Sequence, residues 1–312
     1  MRVAVLGGAG FIGSHLVDRL LQRGDEVVSV DNFVTGRRDN AERNRGNARY
    51  TFVQHDVCQP IPVVGPLQAV FNLASPASPV DYARLPLETL DVGSLGTRNA
   101  LDLARMSGAT LVHASTSEVY GDPLEHPQRE EYFGNVNCIG PRACYDEAKR
   151  FAEALITSYA RVHGTRFRLA RIFNTYGPRM RTDDGRVVPA FVTQALRAGD
   201  FTLFGDGSQT RSFCYVDDLV GGLLLLLEKG DGRPVNLGNP VEMTLIEFAE
   251  AVRAAVGKGG AVRSVRPLPE NDPKQRRPDI TRARTLLGWE PRVPLPEGLA
   301  PTVAWFRKEL GL

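Results

Sequence analysis

The chain has 312 residues, long for one compact unit and short for three, and 42% hydrophobic with 24% charged residues is ordinary globular composition. Lys+Arg 38 against Asp+Glu 36 leaves a net charge of +2, which argues against a nucleic-acid partner held by bulk charge. The longest strongly apolar stretch, residues 223–227, is far below the roughly 18 residues that a membrane span needs, so no membrane partner is expected.

Met1-Arg2-Val3-Ala4-Val5-Leu6 runs straight into a glycine cluster, without a long apolar segment and cleavage site, so the expected compartment is the cytoplasm. Cys58, Cys138, Cys144 and Cys214 show no C-x-x-C spacing, which predicts reduced thiols and no metal site. Apolar runs at 2–6, 26–30, 50–53, 69–73, 110–114 and 166–172 read as strands, several too apolar to have a solvated face. Phe11-Ile12, Leu16-Val17 and Leu20-Leu21 form a helical stripe with Gly24 as its C-cap. Strands alternating with helices predict an α/β fold with a doubly wound parallel sheet, the Rossmann arrangement. After about residue 175 the texture changes. Residues 176–189 read as a long loop, 188–197 and 216–229 as helices, and Thr244 to Glu247 as a capping box for a helix running to Val256. Residues 267–278 are rich in Pro and charge, with short helices beyond them near 281–287 and 297–310. The expected division is a dinucleotide-binding domain over 1–175, with segments near 211–240 returning to it, and a smaller C-terminal substrate-binding lobe over 176–312.

Gly7, Gly10 and Gly13 follow the first strand and open the first helix, with Phe11 and Ile12 between them. That spacing lets backbone amides approach a pyrophosphate at a helix N-terminus. Asp31 ends the second strand, where a carboxylate accepts hydrogen bonds from a ribose diol and repels a 2′-phosphate. The cofactor expected is therefore NAD rather than NADP, an inference that Arg37 and Arg38 in the following loop blunt without reversing. Asp56 and Val57 after the third strand suit the adenine. Tyr145 and Lys149 stand four apart, hence on one helix face, at the start of the helix after the fifth strand. An ammonium and an oxidised nicotinamide both favour phenolate at Tyr145, and a hydroxyl from Thr116 could meet the same substrate hydroxyl.

Several long blocks go further. Residues 72–79 (NLASPASP), 116–123 (TSEVYGDP), 126–128 (HPQ), 139–150 (IGPRACYDEAKR), 171–180 (RIFNTYGPRM) and 276–280 (RRPDI) resemble the extended short-chain dehydrogenase/reductase superfamily over essentially the whole chain. Within it the UDP-glucuronate decarboxylase family, the UDP-xylose synthases, matches best. The resemblance implies Thr116, Tyr145 and Lys149 as a dehydrogenase trio, with Glu118 and Arg276 added for decarboxylation. It also implies Asn32, Leu73 and Ala74 on the cofactor side. Asn174, Arg186, Thr202, Phe204, Arg211 and Tyr215 would hold a UDP-linked sugar together with Arg276, and the assembly would be a homodimer built on helices within 87–104 and 142–162. Gly93 departs from the pattern, since the superfamily usually has Asn there, and Phe133 stands where the closest family commonly shows Trp.

The alternatives are a sugar 4-epimerase, a 4,6-dehydratase and a non-catalytic NAD-binding regulator. An epimerase has no obvious use for Glu118 or a carboxylate-binding Arg276. A dehydratase typically has Asp-Glu after the Thr, where this chain has Ser117-Glu118. Loss of Tyr145 or Lys149 would favour the regulator, and both are present.

Overall fold

The computed structural model describes residues 1–267 and 273–312, so the Pro-rich stretch 267–278 falls partly outside the described residues. Seven strands form one sheet: β1 (Arg2–Leu6), β2 (Glu26–Asp31), β3 (Tyr50–Gln54), β4 (Ala69–Asn72), β5 (Thr110–Thr116), β6 (Phe167–Ile172) and β7 (Pro234–Leu237). Their order is β7-β6-β5-β4-β1-β2-β3. Every pairing is parallel. A parallel sheet is covered on both faces. The helices that cover and extend it are α1 (Phe11–Gln22), α2 (Thr97–Ser107), α3 (Ala143–His163), α4 (Val187–Leu196), α5 (Val216–Lys229), α6 (Leu245–Val256) and α7 (Leu295–Glu309).

The stripe on α1 does what its spacing requires: Leu16, Val17, Leu20 and Leu21 are buried against the sheet. The helix ends at Gln22, and Gly24 takes a left-handed φ of 88° that turns the chain into β2. On the other face Leu101, Ile156 and Tyr159 of α2 and α3 share a core with Val70 and Leu111 of the sheet. Tyr159 ties the two helices, accepting from Arg105 at 2.9 Å and donating to Asp102 at 2.6 Å. Among the described residues no helix is long and apolar enough to cross a membrane.

Each of the six expected strands is present, the first with the bounds expected and the others with an end shifted by one or two residues. The seventh, β7, was not anticipated. It docks beside β6, and Asn236 within it accepts from the Tyr120 hydroxyl at 2.7 Å while donating to the carbonyls of Gln128 and Asp279. The capping box at Thr244 and Glu247 is formed as expected. Beyond β6 aromatic rings pack together, with Phe213 and Phe248 stacked at 4.2 Å and Phe191 edge-on to Phe201 at 5.3 Å.

Gly93 lies in a wide helical turn, Val92–Gly96, that runs directly into α2. A Cβ built on it would stand 2.6 Å from the Cβ of Ala148 on α3 and 3.0 Å from the Ala148 carbonyl oxygen. Glycine is thus what allows this turn to seat against the helix segment between Tyr145 and Lys149. Side chains forced into such a contact cost about 1–3 kcal/mol. Replacing Gly93 by the superfamily's usual residue, as Gly93→Asn, is expected to lower the midpoint of thermal unfolding by several degrees. Adding Ala148→Gly should return part of that loss, and equal stability of Gly93→Asn and the parent would contradict the packing account.

Candidate active site

Strand order reverses between β1 and β4, and ligands of such sheets sit beyond the strand C-termini at that point. A cavity of about 720 Å³ opens there, between the sheet and the segments that carry residues 179–191, 202–211 and Arg276. Its floor is the glycine turn. Gly7, Gly10, Phe11, Ile12 and Gly13 all line it. Gly7 has φ of 80°, and a Cβ there would stand 2.7 Å from the Ala74 nitrogen; a Cβ on Gly13 would strike the Gly7 carbonyl oxygen. The cradle is bare backbone at the N-terminus of α1, which fits a pyrophosphate.

Other cofactor candidates stand behind the wall. Asp31 is buried and accepts from the backbone nitrogens of Ala9 at 3.0 Å and Phe33 at 2.8 Å. Burial raises its pKa above the ordinary carboxylate value, against the pull of those donors. Asn32 caps the nitrogen of Val34 at 3.1 Å. Leu73 lines the cavity, while Ala74 packs behind Gly7. Asp56 is exposed and caps Cys58, and Val57 is buried with its carbonyl bonded by Asn99. Neither residue reaches the cavity wall, because each is spent on shaping the turn after β3.

β5 delivers Thr116 to the cavity and α3 delivers Tyr145 and Lys149, one turn apart and all buried. The Thr116 side chain stands close enough to the Tyr145 phenol to favour its ionised form. Burial pushes that phenol up to about 12, so in the cofactor-free protein it is neutral. The sequence pointed to phenolate on account of the neighbouring ammonium. Desolvation outweighs that pull here, since Lys149 Nζ is 5.8 Å from the ring centroid and donates instead to the Ala114 carbonyl at 2.9 Å. Burial brings Lys149 itself down to about 8.

Glu118 sits in the turn Ser117–Tyr120, its nitrogen donating to Thr116 Oγ1 at 3.2 Å. Arg142 Nη2 lies 2.5 Å from its carboxylate and Arg276 Nη2 lies 3.2 Å away. Burial alone would raise its pKa, but the charges of Arg276, Arg142 and Arg211 together hold it below the ordinary carboxylate range. Asp146, 4.0 Å from Arg142, is driven the other way, to about 7, by burial and by the Glu118 charge. Arg276 is 2% exposed and donates to the carbonyls of Ser117 and Gly121 as well as to Glu118. Three of its five N–H donors are thus spent on the turn that carries Glu118, which adds a positioning role to the carboxylate-holding one expected from sequence. Gln128 brings it there, exchanging bonds with Arg277 and accepting from the Asp279 nitrogen, each at 2.9 Å.

Asn174, Arg186, Thr202, Phe204 and Arg211 line the cavity. Arg186 is held by Asp184 at 2.5 and 2.8 Å, and its charge acts on Tyr145, so it stands at the catalytic end. Tyr215 does not line the cavity. Its ring packs edge-on to Tyr176 at 5.6 Å and under Gly298 of α7, where it serves the core. The sequence reading missed three wall residues. Tyr82 stacks on Tyr145 with centroids 5.1 Å apart, Arg142 holds Glu118, and Arg181 is clamped by Asp81 at 2.8 and 2.9 Å. Arg142 stood inside a block that was read for its family likeness; Tyr82 carried no local signal.

A parallel sheet of this order, a glycine cradle and a Tyr–Lys pair facing it define a nucleotide-dependent enzyme of the short-chain dehydrogenase/reductase type. The model of the NAD dependent epimerase/dehydratase family matches residues 3–238, and the chain belongs to that family. It is 51% identical over 309 residues to UDP-glucuronic acid decarboxylase 1 of Xenopus tropicalis, covering 99% of this chain and 73% of that one. It is 50% identical over 313 residues to UDP-glucuronic acid decarboxylase 5 of Arabidopsis thaliana, covering 100% and 91%. Among solved structures, the dTDP-glucose 4,6-dehydratase of Streptomyces venezuelae with NAD bound superimposes with a TM-score of 0.91 at 29% identity, covering 100% of this chain and 98% of that one.

The buried amine gives a pH prediction. The folded chain releases the Lys149 proton near 8 and the unfolded chain near the ordinary 10.5, so between those values the unfolded state binds more protons and stability rises with pH. Relative to Lys149→Met, the cofactor-free parent should gain about 3 kcal/mol across that window. Urea unfolding of both proteins along a pH series measures it, and a flat difference would contradict a desolvated Lys149.

Proposed function

We propose that the chain decarboxylates UDP-glucuronate to UDP-xylose through a 4-keto sugar that stays bound. The observation that carries this reading is Glu118, an ionised carboxylate fixed by Arg142 and Arg276 in the turn that follows Thr116. When bound, NAD supplies a temporary electron sink, taking hydride from C4 and returning it after the carboxylate has left.

The side chains account for the remaining steps. The hydroxyl of Thr116 holds the C4 hydroxyl against Tyr145, whose phenol oxygen takes the proton. Tyr145 needs help to do so from a resting value near 12, and the Arg186 charge and the Lys149 ammonium, 5.8 Å from its ring centroid, both favour the phenolate. A ketone at C4 is β to the C5 carboxylate, so the C5–carboxylate bond can break with its electron pair delocalised onto the C4 oxygen. Carbon dioxide departs, and C5 then takes up a proton. Glu118, through water, handles that proton, and Arg276 keeps Glu118 oriented by binding the carbonyls on either side of it. Asn174, Arg186, Thr202, Phe204 and Arg211 are assigned to the sugar nucleotide, supported by their places on the cavity wall. A division into 1–175 and 176–312, with segments near 211–240 rejoining the first, belongs to the same reading, with the diphosphate lying between two lobes. A homodimer is part of the reading, supported by exposed Leu87, Leu95, Phe151 and Val162 on the helices expected to form its interface.

A 4-epimerase would use Thr116, Tyr145 and Lys149 in the same way and would not need a twice-paired carboxylate beside C5. The two readings separate in a single turnover with UDP-glucuronate, following reduced nicotinamide and released carbon dioxide apart. Glu118→Gln and Arg276→Ala, saturated with substrate, are expected to release carbon dioxide at least about 100-fold more slowly while C4 oxidation falls far less. Wild-type rates of release from both variants would end the roles given to Glu118 and Arg276, and a parent protein that releases no carbon dioxide would end the decarboxylase reading.

A further inference from the structure

Selectivity for NAD has been argued from Asp31 alone, yet a cation stands beside it. A Cβ on Gly36 would lie 2.6 Å from Asp31 Oδ1, so the main chain at 36 runs directly along that carboxylate. The next residue is Arg37, whose nitrogen donates to the Ala9 carbonyl of the glycine turn at 3.0 Å. Arg37 lines the cavity together with Thr35 and Asn40. An arginine so placed is the residue type that accepts a ribose 2′-phosphate, and a bidentate guanidinium–phosphate contact is among the stronger charge-assisted pairs.

The guanidinium is otherwise engaged. Arg37 Nη1 binds Glu309 at the end of α7, and the guanidinium carbon lies 5.6 Å from the ring centroid of Trp305. Trp305 and Glu309 are four apart on α7, so they present one face to Arg37. Trp305 is itself fixed, donating from its indole to the Met180 carbonyl at 3.3 Å. The second carboxylate near Arg37, Asp39 at 3.2 Å, is 79% exposed and contributes little.

We infer that Glu309 is a specificity-determining residue for the cofactor: by holding Arg37 against α7 it withholds a cavity-lining cation that could pair with a 2′-phosphate beside Asp31, whereas the neighbouring Arg38 is packed over the Phe33 ring. The C-terminal helix thereby takes part in choosing the cofactor, 272 residues along the chain from the arginine it holds. The discrimination has two parts, a repulsive charge at Asp31 and a sequestered attractive one at Arg37, which is how specificity is built against a near-identical ligand. This inference rests on the NAD reading of the glycine turn.

Direct titration of the cofactor-stripped protein with NAD and with NADP tests it, without recourse to turnover. Glu309→Gln should tighten NADP binding about tenfold and leave NAD binding within about twofold of the parent. Adding Arg37→Ala to Glu309→Gln should abolish that gain. Unchanged NADP affinity in Glu309→Gln, or a gain that survives removal of Arg37, overturns the inference while leaving NAD selectivity in place. A parent protein that binds NADP more tightly than NAD would instead overturn the reading of Asp31 beneath it.

Discussion

Glu118 is a carboxylate taken largely out of water, and it stays ionised because two guanidinium groups reach it from different parts of the chain. Arg142 comes from the start of α3 and Arg276 from the C-terminal part of the chain, more than 130 residues further on. Burying charges costs several kcal/mol per ion unless partners and further hydrogen bonds compensate. Here they do: the carbonyls of Ser117 and Gly121 take the other donors of Arg276. The same contacts pin the turn after β5 to the C-terminal lobe, so the geometry of the proposed chemistry and the closure of the cavity rest on one ionic cluster. Charge in that cluster is unevenly shared. The Arg charges hold Glu118 low, while burial and the Glu118 charge push Asp146 up.

The cofactor end follows a different constraint, close approach of bare backbone. Gly7 admits the chain at Ala74, Gly13 admits Gly7, and Gly36 admits the Asp31 carboxylate. Between the two ends, α3 carries Tyr145 and Lys149 and is seated by Gly93 against Ala148. Desolvation there works on both side chains in opposite directions, raising the phenol and lowering the amine. A bound nicotinamide cation would shift that balance toward phenolate, which is the state in which Tyr145 can take a proton.

Much of this was legible in the residues. Six strands of a parallel sheet announce themselves as short apolar runs between amphipathic stretches, and Val216–Lys229 shows both its ends. β7 does not, because four residues centred on Val235 and the buried Asn236 carry too little pattern to separate from a loop. Collinear blocks led to Thr116, Glu118, Tyr145, Lys149 and Arg276, which the fold brings to one cavity from β5, α3 and the C-terminal lobe. What stayed hidden was contact. Nothing near Tyr82 foretells its stacking on Tyr145, nor does anything near Glu309 foretell its pairing with Arg37. Tyr215 shows the converse, a plausible ligand residue that the packing of Tyr176 and Gly298 claims for the core. Residues whose role depends on a partner far along the chain leave no spacing to read.

Product analysis of the unmodified protein, given UDP-glucuronate with NAD and followed by nuclear magnetic resonance and carbon dioxide release, bears most directly on the central claim. Equal amounts of carbon dioxide and UDP-xylose, without net accumulation of reduced cofactor, are predicted. A C4-inverted uronate formed with all its carbon retained would contradict it and make the enzyme an epimerase.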